Sequence, residues 1–420
     1  MPVSFDAADD SKPRSLACRS CGSDRLISVI DLGRQPLANN LLRPGDLDAP
    51  EPVFPLEVAV CEACWLMQIV HVVPPVSLFS DYVYFSSFSD QMLAHARDAA
   101  LRYIREKDLG GGSFVVEIAS NDGYLLRNFV EAGVPCLGIE PAANIAAVAR
   151  QAGVDTRCEF FGRDTAQRLA AERGQADLIL GNNVFAHAPG INDFVGGIKS
   201  LLKPGGWAVL EFPYGVDMIV ETEFDTIYHE HVFYFTLTPL PPLFARHDLE
   251  VFHVERIPIH GGSLRLFVAH RGSQSVRDSV AELLAEEASL GVNAAVFYQD
   301  FRRRAEVVRH DLTTFLNAQS AAGKRVAAYG ASAKGSTLLN YVGAPARSLE
   351  FIADRSTHKQ GKFSPGLHIP IVPAEELAAR MPDYAILLVW NFAQEVMRQQ
   401  AAYPAGGGRF VLPLPEARIV

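Results

Sequence analysis

Phe114-Val115-Val116-Glu117-Ile118-Ala119-Ser120-Asn121-Asp122-Gly123 is the stretch from which the rest of the chain can be read. Its first six residues form a short apolar run of buried-strand length, and the next four are small or turn-forming. Tyr124 to Ala132 then resumes a helical pattern. Strand, small-residue turn and helix together present backbone N–H groups to a ligand at a helix N-terminus. The pattern predicts a ligand loop built from Glu117, Ala119, Ser120, Asn121 and Gly123. The next predicted strand, Cys136 to Ile139, ends in Glu140. An acidic residue at that place can accept hydrogen bonds from both ribose hydroxyls of a bound nucleoside.

Working outward, Leu93 to Lys107 has helical spacing, with Leu93, Ala96, Ala100, Leu101 and Ile104 on one face. Asp177 to Gly181 reads as a strand leading to Asn182-Asn183. Phe194 to Leu202 reads as a helix that stops at Lys203-Pro204-Gly205-Gly206, before a strand from Trp207 to Phe212. That alternation predicts βαβ crossovers and a mostly parallel α/β sheet. Leu249 to Ile257 and Ser263 to His270, joined by Pro258 to Gly262, suit an antiparallel hairpin at the sheet edge. The ordering differs from a dinucleotide-binding fold and resembles the class I methyltransferase fold. The Glu117–Gly123 loop looks like methyltransferase motif I, with Ala119 where glycine is commoner; a plain βα turn is the bland alternative. The loop matches G-x-G-x-x-G poorly, which disfavours NAD. What the resemblance implies is S-adenosylmethionine across the loop, Glu140 on its ribose, and Asn182 and Asn183 nearby.

The chain has 420 residues, 49% hydrophobic and 20% charged, with a formal net charge of -10. This gives no basic footprint for nucleic acid, although a local positive pocket can still hold an anion. Met1 to Lys12 lacks the layout of a secretion signal, and no apolar run approaches the roughly 20 residues that span a bilayer. A cytoplasmic, monomeric protein with reduced cysteines is expected. Cys136 and Cys158 stand alone and read as small buried hydrophobes.

The other four cysteines are patterned. Cys18-Arg19-Ser20-Cys21 and Cys61-Glu62-Ala63-Cys64 are two C-x2-C pairs, which match a structural zinc site closed by four thiolates. Two disulfides and a redox dithiol are the alternatives. A reducing compartment disfavours the first, and the second needs no second pair. A closed site has no open position for catalysis, so the metal is expected to fold a small unit over about residues 13 to 72.

Tyr228-His229-Glu230-His231 is the densest ionisable group in the chain. On a strand, His229 and His231 would share a face. Metal binding is weakened because H-x-H lacks helical i, i+4 spacing, and an ordinary solvated loop is the bland reading. The third reading is acid–base chemistry by histidine beside a phenol that can hydrogen-bond to a developing enolate oxygen. A carbon next to a ketone becomes nucleophilic only after losing a proton, so methylation at carbon needs both groups.

Val276 to Ala322 is helical in pattern, and Lys324 to Tyr329 is a predicted strand followed by the small-residue loop Gly330-Ala331-Ser332-Ala333-Lys334-Gly335. Strands at Leu349 to Ala353 and Ala385 to Val389 predict a second α/β sheet. Lys334 is available there for an anionic oxygen, but the Walker order is absent, so ATP hydrolysis is not indicated. A scaffold sheet without ligand is the alternative. Arg355 and Lys359, in the cation-rich segment Asp354 to Lys362, are candidates to join a clamp, with an ordinary solvated loop as the alternative.

Taken together, these motifs resemble the deoxysugar C-methyltransferase family, which acts at C3 of nucleotide-linked 4-keto sugars. The likeness also takes in Asp31-Leu32-Gly33-Arg34-Gln35-Pro36-Leu37-Ala38-Asn39, Tyr84-Phe85-Ser86-Ser87, Asn183 to His187 and His260-Gly261-Gly262-Ser263-Leu264-Arg265. It implies His231 as base and Tyr228 and Glu230 as sugar contacts; His229, beside them, is a candidate second donor to the enolate oxygen. It implies a dTDP-linked substrate between Tyr84, Ser87, His187 and the C-terminal unit, with Lys334 on the diphosphate. The expected organisation is a zinc unit (1–72), an S-adenosylmethionine unit (73–272) and a Rossmann-like unit for the substrate nucleotide (273–420). An NAD-dependent oxidoreductase and a zinc-bearing interaction module on an inactive scaffold are the rival functions.

Overall fold

The computed structural model describes residues 17–79, 85–88, 90–259 and 261–420. Tyr84 and His260, named above, lie outside the described residues. Strands among the described residues form three sheets.

The first sheet orders β1 (Leu26–Pro36), β2 (Val53–Cys61) and β3 (Met67–Ile69) antiparallel, then takes a fourth strand from far along the chain. The second is built from β4 (Val115–Ile118), β5 (Cys136–Ile139), β6 (Thr156–Arg157), β7 (Ala176–Asn182) and β8 (Leu202–Pro213). The late strand of the first sheet is β9 (Phe233–Tyr234), antiparallel to β3. It follows His231 directly, so the zinc-bearing sheet extends into a region expected to belong wholly to the middle unit.

The second sheet is completed by β10 (Leu249–Ile257) and β11 (Ser263–His270), giving the order β10-β11-β8-β7-β4-β5-β6. Strands β4 to β8 pair in parallel, while β11 runs antiparallel to both β8 and β10. That reversed edge is the feature expected of the class I methyltransferase fold. Val115–Ile118 is buried throughout, as a parallel strand covered on both faces must be.

The third sheet holds β12 (Val326–Tyr329), β13 (Ile352–Asp354), β14 (Ile371–Pro373), β15 (Tyr384–Leu387), β16 (Arg409–Leu412) and β17 (Arg418–Ile419), in the order β14-β13-β12-β15-β16-β17. Counted from β12, this is the doubly wound order 3-2-1-4-5-6. In both large sheets the strand order reverses beside the first strand, between β4 and β7 and between β12 and β15. Ligands of open α/β sheets bind outside the strand ends at such points.

Local departures have local causes. The helix after the ligand loop begins only at Arg127, because Tyr124 to Leu126 form turns and the Asn128 side chain takes up the Leu125 carbonyl at 2.9 Å. Cys136 is half-buried and Cys158 exposed, so neither is the core hydrophobe expected. Glu287, wholly buried, ties the helix Asp278–Leu290 to the second sheet's loops by accepting from Tyr214 Oη at 2.8 Å, Leu237 N at 2.6 Å and Thr238 N at 2.7 Å.

Candidate active site

The two cysteine pairs sit on tight turns. Gly22 N donates to Cys18 O at 2.8 Å, and Trp65 N donates to Cys61 O at 2.7 Å. These turns bring all four sulfurs within 4.8 Å of one another, with Cys18–Cys64 and Cys21–Cys61 both at 3.6 Å. Four Zn–S bonds of about 2.3 Å in a tetrahedron separate the sulfurs by roughly 3.8 Å. The cysteines therefore fit a structural zinc ion. Asn192 Nδ2 and Arg246 Nη2 each donate to Ser20 O at 2.9 Å, clasping the first knuckle onto the middle of the chain.

One cavity of about 860 Å³ receives residues from all three sheets' surroundings. That is near the top of the roughly 300–1,000 Å³ range of ligand pockets. On one wall lie Ala119, Asn121, Glu140, Asn182 and Asn183. Ala119 and Asn121 adopt left-handed backbone at φ 54° and 49°, which turns the loop across the end of β4. Glu140 accepts from Asn121 N at 3.0 Å and Ala142 N at 2.8 Å. Burial pushes its carboxyl above the usual range, and these two N–H donors work against that shift. Each oxygen keeps acceptor capacity, as a ribose contact requires. The loop, the acidic strand end and the paired asparagines thus fit S-adenosylmethionine.

Three loop residues do not line the cavity. Glu117 is wholly buried behind the loop, with both carboxylate oxygens lacking a partner among the described residues. Burial, then nearby carboxylates, push its pKa well up. Ser120 is likewise buried, and Gly123 packs on Val154. They sit behind the loop, which leaves β4 through the left-handed backbone of Ala119.

Tyr228 and His231 face the cavity from the other side. His231 Nδ1 lies 2.9 Å from the Thr226 carbonyl and Nε2 lies 2.8 Å from Tyr228 Oη. A carbonyl only accepts, so Nδ1 carries the hydrogen and Nε2 of the neutral ring accepts from the phenol. The segment is a turn rather than a strand, so His229 and His231 do not share a face. His229 points away from the cavity, edge-on to Phe54 and with Nε2 3.3 Å from Pro55 O. It is therefore not placed to touch an enolate oxygen. Glu230 is buried and accepts from Asn39 Nδ2 at 2.7 Å; Asn39, not Glu230, lines the cavity. The sequence reading missed Asn39 as a site residue, although it lies in the Asp31–Asn39 stretch.

His187 completes this wall, edge-on to His231 with ring centres 4.8 Å apart. Burial pushes its imidazole down to about 4, against a backbone contact with Glu230. Ser86 lines the cavity and its N–H donates to Asn121 Oδ1 at 2.9 Å. Ser87 does not; its N–H is tied to Asp122 Oδ2 at 3.1 Å.

The third wall comes from the reversal point of the C-terminal sheet. Lys334 and Lys359 line the cavity, with Lys334 Nζ 4.8 Å over the Trp390 ring and Lys359 Nζ donating to Ala331 O at 2.7 Å. Arg355 is exposed and reaches toward Gln399 at 3.3 Å, away from the cavity, so it does not join the clamp. The local cation count around Arg355 could not reveal which side chains turn inward.

Comparisons with known proteins follow the same three parts. A family model for a zinc binding domain matches residues 18–79, one for a methyltransferase domain matches 90–254, and one for a C-methyltransferase C-terminal domain matches 258–415. The C-methyltransferase NovU of Streptomyces niveus is 40% identical over 404 residues, 96% of this chain and 96% of its own. A ubiquinone biosynthesis O-methyltransferase of Bradyrhizobium sp. (strain ORS 278) is 30% identical over 128 residues, 28% of this chain and 48% of its own. Among solved structures, magnesium protoporphyrin IX methyltransferase from Synechocystis PCC 6803 matches 43% of this chain and 83% of its own, at 13% identity and a TM-score of 0.34, too low to carry an argument.

Proposed function

The chain belongs to the C-methyltransferase family, and from that premise we propose that it methylates C3 of a dTDP-linked 4-keto-6-deoxysugar in deoxysugar and antibiotic biosynthesis. It is an S-adenosylmethionine-dependent C-methyltransferase with a structural zinc site. The observation that carries the finer reading is the hydrogen-bonded chain Thr226 carbonyl, His231, Tyr228, opening on the cavity that Glu140 and Lys334 also line.

S-adenosylmethionine supplies an electrophilic methyl group when bound. Asn121, Glu140, Asn182 and Asn183, which line the cavity beside the ends of β4, β5 and β7, would hold it. With the Tyr228 hydroxyl turned from Nε2 to the ketone oxygen, His231 Nε2 takes the proton from the sugar carbon alpha to the ketone, and Nδ1–H on the Thr226 carbonyl steadies the imidazolium that forms. Tyr228 Oη donates to the enolate oxygen. Asn39, held by Glu230, and the neutral His187 contact sugar hydroxyls. Lys334 and Lys359 take the diphosphate. A keto sugar explains why a base and an oxyanion donor stand side by side, which methylation at oxygen does not require.

The test is mass spectrometry of a panel of nucleotide-linked 4-keto-6-deoxysugars incubated with the methyl donor, followed by exchange in D2O with the demethylated cofactor. One sugar should gain one methyl group and take up deuterium at the carbon that is methylated. His231→Ala should abolish exchange and Tyr228→Phe should slow it, general-base loss typically costing roughly 10²–10⁴-fold. Full exchange in His231→Ala would remove this residue as the base.

A further inference from the structure

The hydrogen bond that orients His231 begins at Thr226, and Thr226 stands on a turn held by the C-terminal sheet. The turn Phe224–Thr226 packs on the helix Ala333–Val342, with the Phe224 ring edge-on to Tyr341 at 5.3 Å. Thr337 Oγ1 donates to Ile227 O at 3.0 Å. Asp225, wholly buried, accepts from Trp390 Nε1 at 2.7 Å through Oδ2, while its Oδ1 has no hydrogen-bond partner among the described residues. The indole of Trp390 therefore touches two polar groups at once: its N–H meets the Asp225 carboxyl group and its face carries the Lys334 ammonium. Lys334 is on the cavity side.

We propose that Asp225 and Trp390 are positioning residues that couple an anion bound at Lys334 to the placement of His231. This rests on the reading of Lys334 as the diphosphate contact. An ammonium over an indole draws on the ring's π-electrons and makes its N–H a stronger donor. A diphosphate draws the ammonium off the ring face, and the Trp390–Asp225 bond readjusts. Asp225 precedes Thr226, whose carbonyl fixes the hydrogen on His231 Nδ1, so the readjustment reaches the base through two peptide units. The base is then set when the nucleotide half of the substrate has docked. A misplacement of about 1 Å can cost roughly 10²-fold in rate, so a small shift of this turn is enough to matter.

The experiment follows the histidine directly, without turnover. Protein carrying ¹³C at histidine Cε1 is titrated with thymidine diphosphate, and the His231 resonance is assigned by its loss in His231→Gln. Calorimetry on the same samples records binding. In the wild type, saturation should shift the His231 resonance. Trp390→Phe keeps a ring for Lys334 but lacks the N–H; it should bind thymidine diphosphate with little change in affinity and leave His231 unmoved. Asp225→Asn retains an acceptor and should preserve the shift, whereas Asp225→Leu should lose it, at unchanged zinc content. A wild-type His231 that does not respond to bound thymidine diphosphate, or an equal response in Trp390→Phe or Asp225→Leu, overturns the coupling and leaves the nucleotide reading standing. No binding by calorimetry overturns that reading, and the coupling falls with it.

Discussion

His187 and His229 are both neutral because burial pushes each imidazole down to about 4. Their ordinary value is near 6.5, so between pH 4 and 6.5 the unfolded chain binds protons that the folded chain does not. Stability therefore rises with pH across this window and is lost as pH falls from 6.5 toward 4. For His229, the loss between pH 7 and pH 5 should come to roughly 2 kcal/mol. His229→Phe, beside Phe54, should remove that share of the slope in urea unfolding followed at the two pH values. An unchanged slope would mean that His229 is already charged in the fold. The sequence marks the Tyr228–His231 group as a candidate for acid–base chemistry by its residue types, but it does not disclose their directions. Which histidine faces the cavity depends on a turn whose partners, Pro55 and Thr226, lie on either side of it. Asn39 escaped for the same reason: it meets Glu230 from 191 positions away.

Elements were most legible where a short apolar run lies between turn-formers. Cys136–Ile139, Leu249–Ile257 and Ser263–His270 form over the residues expected, the last two as the antiparallel edge pair. β9 was invisible because two residues carry no periodicity, and its partner β3 lies on the far side of β4 to β8 in the chain. The Gly261-Gly262 turn between the edge strands has a physical reason that the sequence did not disclose. Gly262 has φ 126°, and a Cβ there would stand 2.1 Å from Asp217 Oδ2, the carboxylate that pairs with Arg256. Its carbonyl also accepts from Tyr214 N at 3.0 Å. Gly262→Ala should destabilise the protein by about 1–3 kcal/mol from backbone strain, with the displacement of Asp217 in addition. Gly272→Ala, at φ 74° with open space around the Cβ, should cost only the left-handed penalty of about 1–2 kcal/mol. Thermal denaturation of the two variants decides the matter, and equal losses would show that Asp217 does not constrain this turn.

At the scale of the whole molecule, two doubly wound sheets turn their reversal points toward one cavity, and the zinc-bearing sheet closes it from a third side. The sequence could announce both small-residue loops but not that they face each other, since no local pattern records the packing of one sheet on another. The metal's contribution follows from connectivity. Cys61 ends β2 and Cys64 stands just before β3, so the ion fixes the turn that sets β3 against β2. β3 in turn holds β9, and Ile69 N donates to Val232 O at 2.9 Å, one residue beyond His231. Zinc bound by such thiolates contributes roughly 10–16 kcal/mol of apparent binding energy at neutral pH, which here is spent on order in this sheet. The second sheet, with Asn121, Glu140 and Asn182 at its strand ends, shares the core of one face with the zinc-bearing sheet, but its other face, around Val115, Leu178, Leu180 and Val209, has a core that sheet does not enter. Removing zinc with a strong chelator, or weakening the site with Cys64→Ser, should therefore abolish methyl transfer and the alpha-carbon exchange while S-adenosylhomocysteine still binds by calorimetry. Returning zinc to the chelated wild type should restore exchange. Retained exchange without zinc would show that β3 and β9 keep the base in place unaided. Simultaneous loss of S-adenosylhomocysteine binding would instead make the metal a support of the entire fold.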